Sequence, residues 1–254
     1  MKVTFLGTGT SQGIPVIGCG CEVCTSNDPK DNRLRTSVLI ETGDKTIVID
    51  SGPDFRYQML RARVKDLDAI LFTHEHKDHI AGLDDIRPFN YLLKKDIEVY
   101  ASLQVQEGLK REFSYIFSDV HYPGIPEINM HTISGDQNFS VGKTEVIPLD
   151  IMHYKLPILG FRMGDFTYIT DAKTVPQSTV DKMRGTKVLV INALQIQDHI
   201  SHFTLKEAIA FAKKINADTT YFTHISHNLG KHEDVEPALP SNIKLAYDGL
   251  VINV

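Results

Sequence analysis

No stretch of the sequence reaches the roughly 18 consecutive apolar residues that a membrane-spanning helix needs. Nor is there a surplus of positive charge: 27 lysines and arginines stand against 32 aspartates and glutamates, for a net charge of -5. The first absence argues against a membrane protein. Together with an N-terminus, Met1-Lys2-Val3-Thr4-Phe5-Leu6, that breaks into a Gly/Thr loop after one short apolar run, it predicts a cytoplasmic location. The second removes the broad basic face that a long nucleic-acid partner requires. Repeats, low-complexity tracts and polar linkers are missing too, so one domain across residues 1–254 is expected. Cysteine is scarce, and all three thiols fall in Cys19-Gly20-Cys21-Glu22-Val23-Cys24. An odd count cannot close into intramolecular pairs and suits thiolate metal ligation in a reducing compartment.

Short apolar runs bounded by turn residues mark strands at 3–6, 37–41, 46–50, 69–72, 144–151, 160–163, 166–170, 187–191, 219–222 and 250–254. Gly43-Asp44 joins the second and third of these as a hairpin ending at Asp50-Ser51-Gly52-Pro53. Helices are expected at 53–63, with proline at its start, and at 176–184 and 204–215. Residues 7–35 form a long Gly-rich loop that needs an anchor, and its cysteines offer one. The segment 87–137, with Phe89, Tyr91, Phe113, Tyr115, Phe117 and Tyr122, is expected to include a lid over the pocket, although aromatics at such spacing more often pack than recognise. Strands first, then strands alternating with helices, predict an α/β architecture of two sheets packed face to face with helices outside.

The polar chemistry sits at the ends of these strands. His74-Glu75-His76-Lys77-Asp78-His79 places three imidazoles and a carboxylate within six residues directly after an apolar strand. A solvated loop accounts for one such histidine, not for this density. Imidazole and carboxylate are the ligands of zinc, manganese or iron, and four of them exceed the needs of one metal with an open position, so two metals are expected. His153, Asp171 and His224 each follow an apolar strand as well. Alone, each would read as an ordinary loop residue; together they support one another.

The run His74-x-His76-x-Asp78-His79 resembles the signature of the metallo-β-lactamase superfamily, with His153, Asp171 and His224 in the order of the family's later ligands. The resemblance implies an αββα sandwich with a dinuclear site at one edge. It assigns His74, His76 and His153 to one metal, Asp78, His79 and His224 to the other, and Asp171 to both, with Asp50 orienting a ligand imidazole from behind. Asp171 stands where β-lactamases carry a cysteine, which points to phosphodiesterases and thioesterase-like members. The segment His202-Phe203-Thr204-Leu205 resembles the histidine motif of the RNase Z and PhnP-type branch, making His202 the candidate general acid, with His199 a close competitor. Cys19, Cys21, Cys24 and the distant His227 resemble the structural zinc of PhnP-type cyclic phosphodiesterases, whereas the tRNA-binding arm of RNase Z has no counterpart.

The expected function is hydrolysis of a small or cyclic phosphodiester by water activated between two divalent ions, zinc or manganese, with Asp78 and His202 in the catalytic machinery. Hydrolysis of a thioester and a non-catalytic role like that of PqqB remain alternatives, and a homodimer stays open.

Overall fold

The computed structural model describes residues 1–118 and 123–254. Alternation at period two decides its architecture. In β1 (Lys2–Gly7), β2 (Ser37–Glu41), β3 (Thr46–Ile49) and β4 (Ala69–Leu71), one side of the strands presents Val3, Phe5, Val38, Ile40, Ile47, Ile49, Ala69 and Leu71 to one core. The other side presents Leu6, Leu39, Val48 and Ile70 to a second core. Strands apolar on both sides require cover on both sides. The chain supplies it in four layers.

The remaining strands are β5 (Ile97–Ala101), β6 (Ile128–Thr132), β7 (Phe139–Val141), β8 (Thr144–His153), β9 (Leu156–Met163), β10 (Phe166–Tyr168), β11 (Val188–Asn192), β12 (Thr219–Thr223), β13 (Ile243–Leu245) and β14 (Val251–Asn253). They form two seven-stranded sheets, ordered β14-β1-β2-β3-β4-β5-β6 and β13-β12-β11-β10-β9-β8-β7. Both sheets share one plan, antiparallel pairings followed by parallel ones, with the change at β3 in the first and β10 in the second. The repeat is architectural; the sequence carries no trace of it. Val146, Phe161, Tyr168 and Val190 of the second sheet meet the first sheet's inner face.

Outside the first sheet lie α1 (Phe55–Ala62), α2 (Lys77–Ile80), α3 (Arg87–Leu93) and α4 (Leu103–Glu112), which bury Phe55, Met59, Ile80, Phe89, Val105 and Leu109 against it. Outside the second lie α5 (Gln177–Lys182), α6 (Leu205–Ile215) and α7 (His232–Val235), with Ala208 and Ala212 of α6 seated on Leu189, Ile191 and Phe222. A capping box starts α6: the Thr204 side chain accepts from the Glu207 backbone N–H, and the Glu207 carboxylate accepts from Thr204. Such a cap contributes about 1 kcal/mol and fixes where the preceding loop, which carries His202, must end.

The described residues of segment 87–137 are largely regular structure. They build α3, β5, α4 and β6, and Phe89 and Phe113 are buried in the outer core with Tyr115 and Phe117 packed against it. Tyr91 is exposed, and Tyr122 lies outside the described residues. The long loop 7–35 also has more to hold it than cysteines. Arg33, only 3% exposed, donates from Nη1 to Thr8 Oγ1 at 2.9 Å and to the Ala246 carbonyl, while Asp248 accepts from the backbone N–H groups of Thr8 and Leu34. This buried charged network ties the loop to the C-terminal segment, so the cysteines are not its sole anchor. Among the described residues, no helix is long and apolar enough to cross a membrane.

Candidate metal centre and active site

The site lies where the parallel strands of both sheets end. Asp50 follows β3, His74 follows β4, Asp171 follows β10 and His224 follows β12, while His153 closes β8. Asp50, Asp171 and His224 have φ of 63°, 54° and 53°, the left-handed region that residues with a Cβ seldom enter. Three such turns at three strand ends concentrate backbone strain at one place, as functional sites commonly do. Asp50 and Asp171 occupy matching positions in the two sheets, each after the strand where parallel pairing begins.

The six-residue histidine run delivers its ligands in two directions. His74 Nε2 lies 3.0 Å from His76 Nδ1, and His153 joins them, with ring centroids 5.7 and 5.2 Å from theirs. The short helix α2 turns Asp78 and His79 to the other side, where His79 Nε2 is 3.2 Å from Asp78 Oδ2 and 3.5 Å from Asp171 Oδ1. His224 Nδ1 completes that group, 3.2 Å from the same Asp171 oxygen. The second Asp171 oxygen faces the first group, 3.8 Å from His74 Nε2. One carboxylate thus addresses both clusters, one oxygen to each.

The donors fit metal ions. Ligand atoms of each group lie within 4.8 Å of one another, and many of the separations above are close to the ~3.3 Å between neighbouring corners of a tetrahedron with metal–nitrogen bonds of about 2.0–2.1 Å. His79 Nε2 and His224 Nδ1 are buried and have no hydrogen-bond partner. Buried polar atoms are rarely left so; a cation between them would satisfy both. The imidazoles are held from behind as ligands usually are. Asp50 Oδ2 accepts from His79 Nδ1 at 2.7 Å, the Ser201 carbonyl from His153 Nδ1 at 2.9 Å, and Thr10 Oγ1 is 3.3 Å from His224 Nε2. Thr73 links the two halves of the motif, donating its N–H to Asp50 Oδ1 and its hydroxyl to Asp50 Oδ2, each at 2.8 Å.

The electrostatics are those of a site short of positive charge. Burial opposes ionisation of Asp171, but His224, His79 and His202 outweigh it and hold its carboxyl well below the usual range. Asp78 is lowered despite its burial, by His79. Burial disfavours a charged His79 as well, yet Asp78, Asp171 and Asp50 together push it well above its ordinary value. Burial wins at His74, lowered further by His79, and at His224, pushed down to about 4 against the pull of Asp171. Asp50 is raised because burial exceeds what His79 and Thr73 return. Asp78 and Asp171 favour the ionised form and His74 and His224 the neutral one, the states that metal ligation uses, while His79 is the exception and would release its proton to bind a metal.

His202 stands apart from these ligand pairs yet touches them. Its Nε2 is 3.1 Å from Asp171 Oδ2, and its ring stacks on that of His224 with centroids 5.0 Å apart. His199 stands behind it, with the two Nδ1 atoms 3.2 Å apart. Of the two candidates for a proton donor, His202 is the one that contacts Asp171. His153, Asp171 and His202 also form a further cluster of metal-ligand spacing.

The cysteines gather at a second place. Sγ of Cys19, Cys21 and Cys24 lie 3.3, 3.3 and 3.5 Å from His227 Nδ1, and all three thiols are free of disulfides. Neighbouring sulfur and nitrogen corners of a tetrahedral zinc site are ~3.6 Å apart, so this set also fits a metal. The thiols differ in acidity: the Cys24 backbone N–H brings Cys21 down to about 6, whereas burial pushes Cys24 up to about 11.

Every candidate metal ligand and proton donor singled out in the sequence therefore lies in one of these places or beside one. Thr10, Thr73, Ser201 and Thr170, whose hydroxyl donates to Asp171 Oδ1 at 2.6 Å, were not singled out. A threonine or a backbone carbonyl has no chemical signature of its own, and only the position of Thr73 and Thr170, each preceding a predicted ligand at a strand end, could have flagged two of the four.

The beta-lactamase superfamily domain matches residues 45–225, the span from the hairpin to just beyond His224. The crystal structure of a new diphosphatase from the PhnP family is similar with a TM-score of 0.93 and 39% identity, over 100% of this chain and 97% of that one. Zn(2+)-bound PqqB from Methylobacterium extorquens matches at a TM-score of 0.83 over 100% of both chains, but at 18% identity this is a likeness of fold alone. An octanoyltransferase of Porphyromonas gingivalis is 39% identical over 252 residues, which cover 98% of this chain; the chain spans 51% of that relative's length.

Proposed function

The chain belongs to the beta-lactamase superfamily of hydrolases, close to the PhnP family, and from that premise we propose that it hydrolyses a small or cyclic phosphodiester. The observation that carries this reading is Asp171, whose two oxygens face two separate ligand clusters while His202 waits at 3.1 Å. Divalent ions, zinc or manganese, held by His74, His76 and His153 and by Asp78, His79 and His224 would supply Lewis acidity toward the phosphoryl oxygens and a nucleophilic water at neutral pH. The protein does the rest. Asp171 fixes the spacing of the two clusters, and Asp50, Thr73, Ser201 and Thr10 lock the imidazole rings so that their lone pairs converge. His202 donates a proton from Nε2 to the departing alkoxide and takes one back at the same nitrogen from water once the product has left.

Two relatives' names set the competing substrates. A diphosphatase acts on a phosphoanhydride, and an octanoyltransferase handles an acyl group. Turnover of bis-p-nitrophenyl phosphate, a diphosphate and an octanoyl thioester, measured side by side, separates the three; turnover of the thioester alone would overturn the phosphoryl reading. Cys19, Cys21, Cys24 and His227 would hold a further zinc in a structural role, because four protein ligands would leave no position for water.

Two variants test the roles. His202→Ala should cost about 10² to 10⁴ in rate, as loss of a general acid does, while both active-site metals remain bound. The loss should shrink for esters with a good leaving group, which need no proton. A drop in metal content by elemental analysis would instead make His202 a ligand. Asp50→Asn keeps a residue that tolerates positive φ but removes the charge behind His79 Nδ1. Metal affinity, read by competition with a chelator, should fall roughly 10- to 100-fold; unchanged affinity contradicts the orienting role.

A further inference from the structure

Beside the histidine run, the wall of the site becomes apolar. A cleft of about 330 Å³ lies between the ends of β5 and β6 in one sheet and β8 and β9 in the other, at the lower end of the range for small-molecule sites. It adjoins the His74–His76 side. Gln104 on its wall donates from Nε2 to Oε1 of Glu75, the residue between those histidines, at 2.7 Å. Leu159 on its opposite wall donates its N–H to the Thr73 carbonyl at 3.0 Å. Leu103, Ile133, Pro157 and Leu159 give it apolar surface, and among the described residues Asp150 is the one charged side chain that lines it. Gly135 makes the closure possible, since a Cβ there would stand 2.0 Å from Asp150 Oδ1. Leu103, which opens α4, has 66% of its surface in water.

A phosphodiester has two alcohol substituents. One leaves on the His202 side; the other is retained and needs room elsewhere. We propose that this cleft, accepting the phosphodiester reading above, binds the retained substituent and selects an uncharged, partly apolar ring such as a nucleoside over a group that carries a second phosphate. Apolar surface rewards a ring by removing it from water. A second phosphate would be desolvated there beside the Asp150 carboxylate, while the ammonium at the wall, Lys182 Nζ, already donates to the Gly135 carbonyl.

Three p-nitrophenyl phosphodiesters share a leaving group and differ in the retained alcohol: methanol, thymidine through its 5′ oxygen, and the same thymidine bearing a 3′-phosphate. In the metal-loaded protein, kcat/KM for the thymidine ester should exceed that of the methyl ester by about tenfold or more, and the 3′-phosphate should cancel the gain. Leu103→Arg, at an exposed position, should raise kcat/KM for the 3′-phosphate ester relative to the methyl ester. Calorimetry with the products, thymidine 5′-monophosphate against methyl phosphate, reads the same preference without turnover. Equal values for the methyl and thymidine ligands, or a Leu103→Arg effect shared by all three esters, would overturn the assignment. Absence of turnover with preserved product preference would count against the reaction and in favour of the cleft.

Discussion

Asp171→Ala is expected to abolish turnover while the protein keeps its fold. Both clusters face this one carboxylate, so its removal should leave neither ion placed for the reaction. Several kcal/mol of transition-state stabilisation depend on both. The rate should therefore fall by roughly 10³ or more. The backbone complicates the alanine variant, because at a φ of 54° alanine is strained by about 1–2 kcal/mol. Asp171→Asn avoids that penalty and should be nearly as inactive, since it keeps the turn and removes the charge. Circular dichroism and thermal unfolding check the fold, and steady-state assays the rate. Wild-type rates in either variant would contradict a shared carboxylate.

Cys21→Ser should act through stability instead. Cys21 lies 3.3 Å from His227 Nδ1, and three residues back from His227 is His224, at the other metal cluster. A thiolate-rich site coordinated on all sides contributes folding free energy directly. The Arg33–Asp248 network holds the same loop independently, so the expected cost is partial, roughly 3–5 kcal/mol and about 10 °C in Tm. Elemental analysis should show one zinc fewer per chain, and that zinc in the wild type should be the last removed by chelators. Turnover should decline only modestly, through the turn joining His227 to His224. An unchanged Tm with an unchanged zinc count would contradict the assignment.

The candidate ligands were legible in the sequence because their chemistry is discrete. Imidazole, thiolate and carboxylate recur in few patterns, and strand ends announce themselves by the stop of an apolar run: Asp171 after Phe166–Tyr168, His224 after Thr219–Thr223. Four strands were not legible. Residues 128–132 form a half-exposed edge strand, Ile-Asn-Met-His-Thr, whose apolar side is only Ile128 and Met130, and β7 and β13 have three residues each. In β5, Glu98 interrupts the apolar run, and only pairing with β4 and β6 supplies what the pattern lacks. The Arg33 anchor was hidden for a different reason. A lone arginine in a polar loop reads as solvated until Thr8, Ala246 and His232, distant in the chain, are brought to it. The two-fold plan of the sheets escaped as well, since only the direction of pairing is repeated.

Stepwise return of metal to chelated protein tests the central claim most directly. Zinc or manganese is added back to protein that retains its thiolate-bound zinc, and hydrolysis of bis-p-nitrophenyl phosphate is followed at each addition. A dinuclear phosphodiesterase predicts activity that saturates at two equivalents per chain and is lost with Asp171→Asn. Saturation at one equivalent, or full metal loading without phosphodiester turnover, would contradict it.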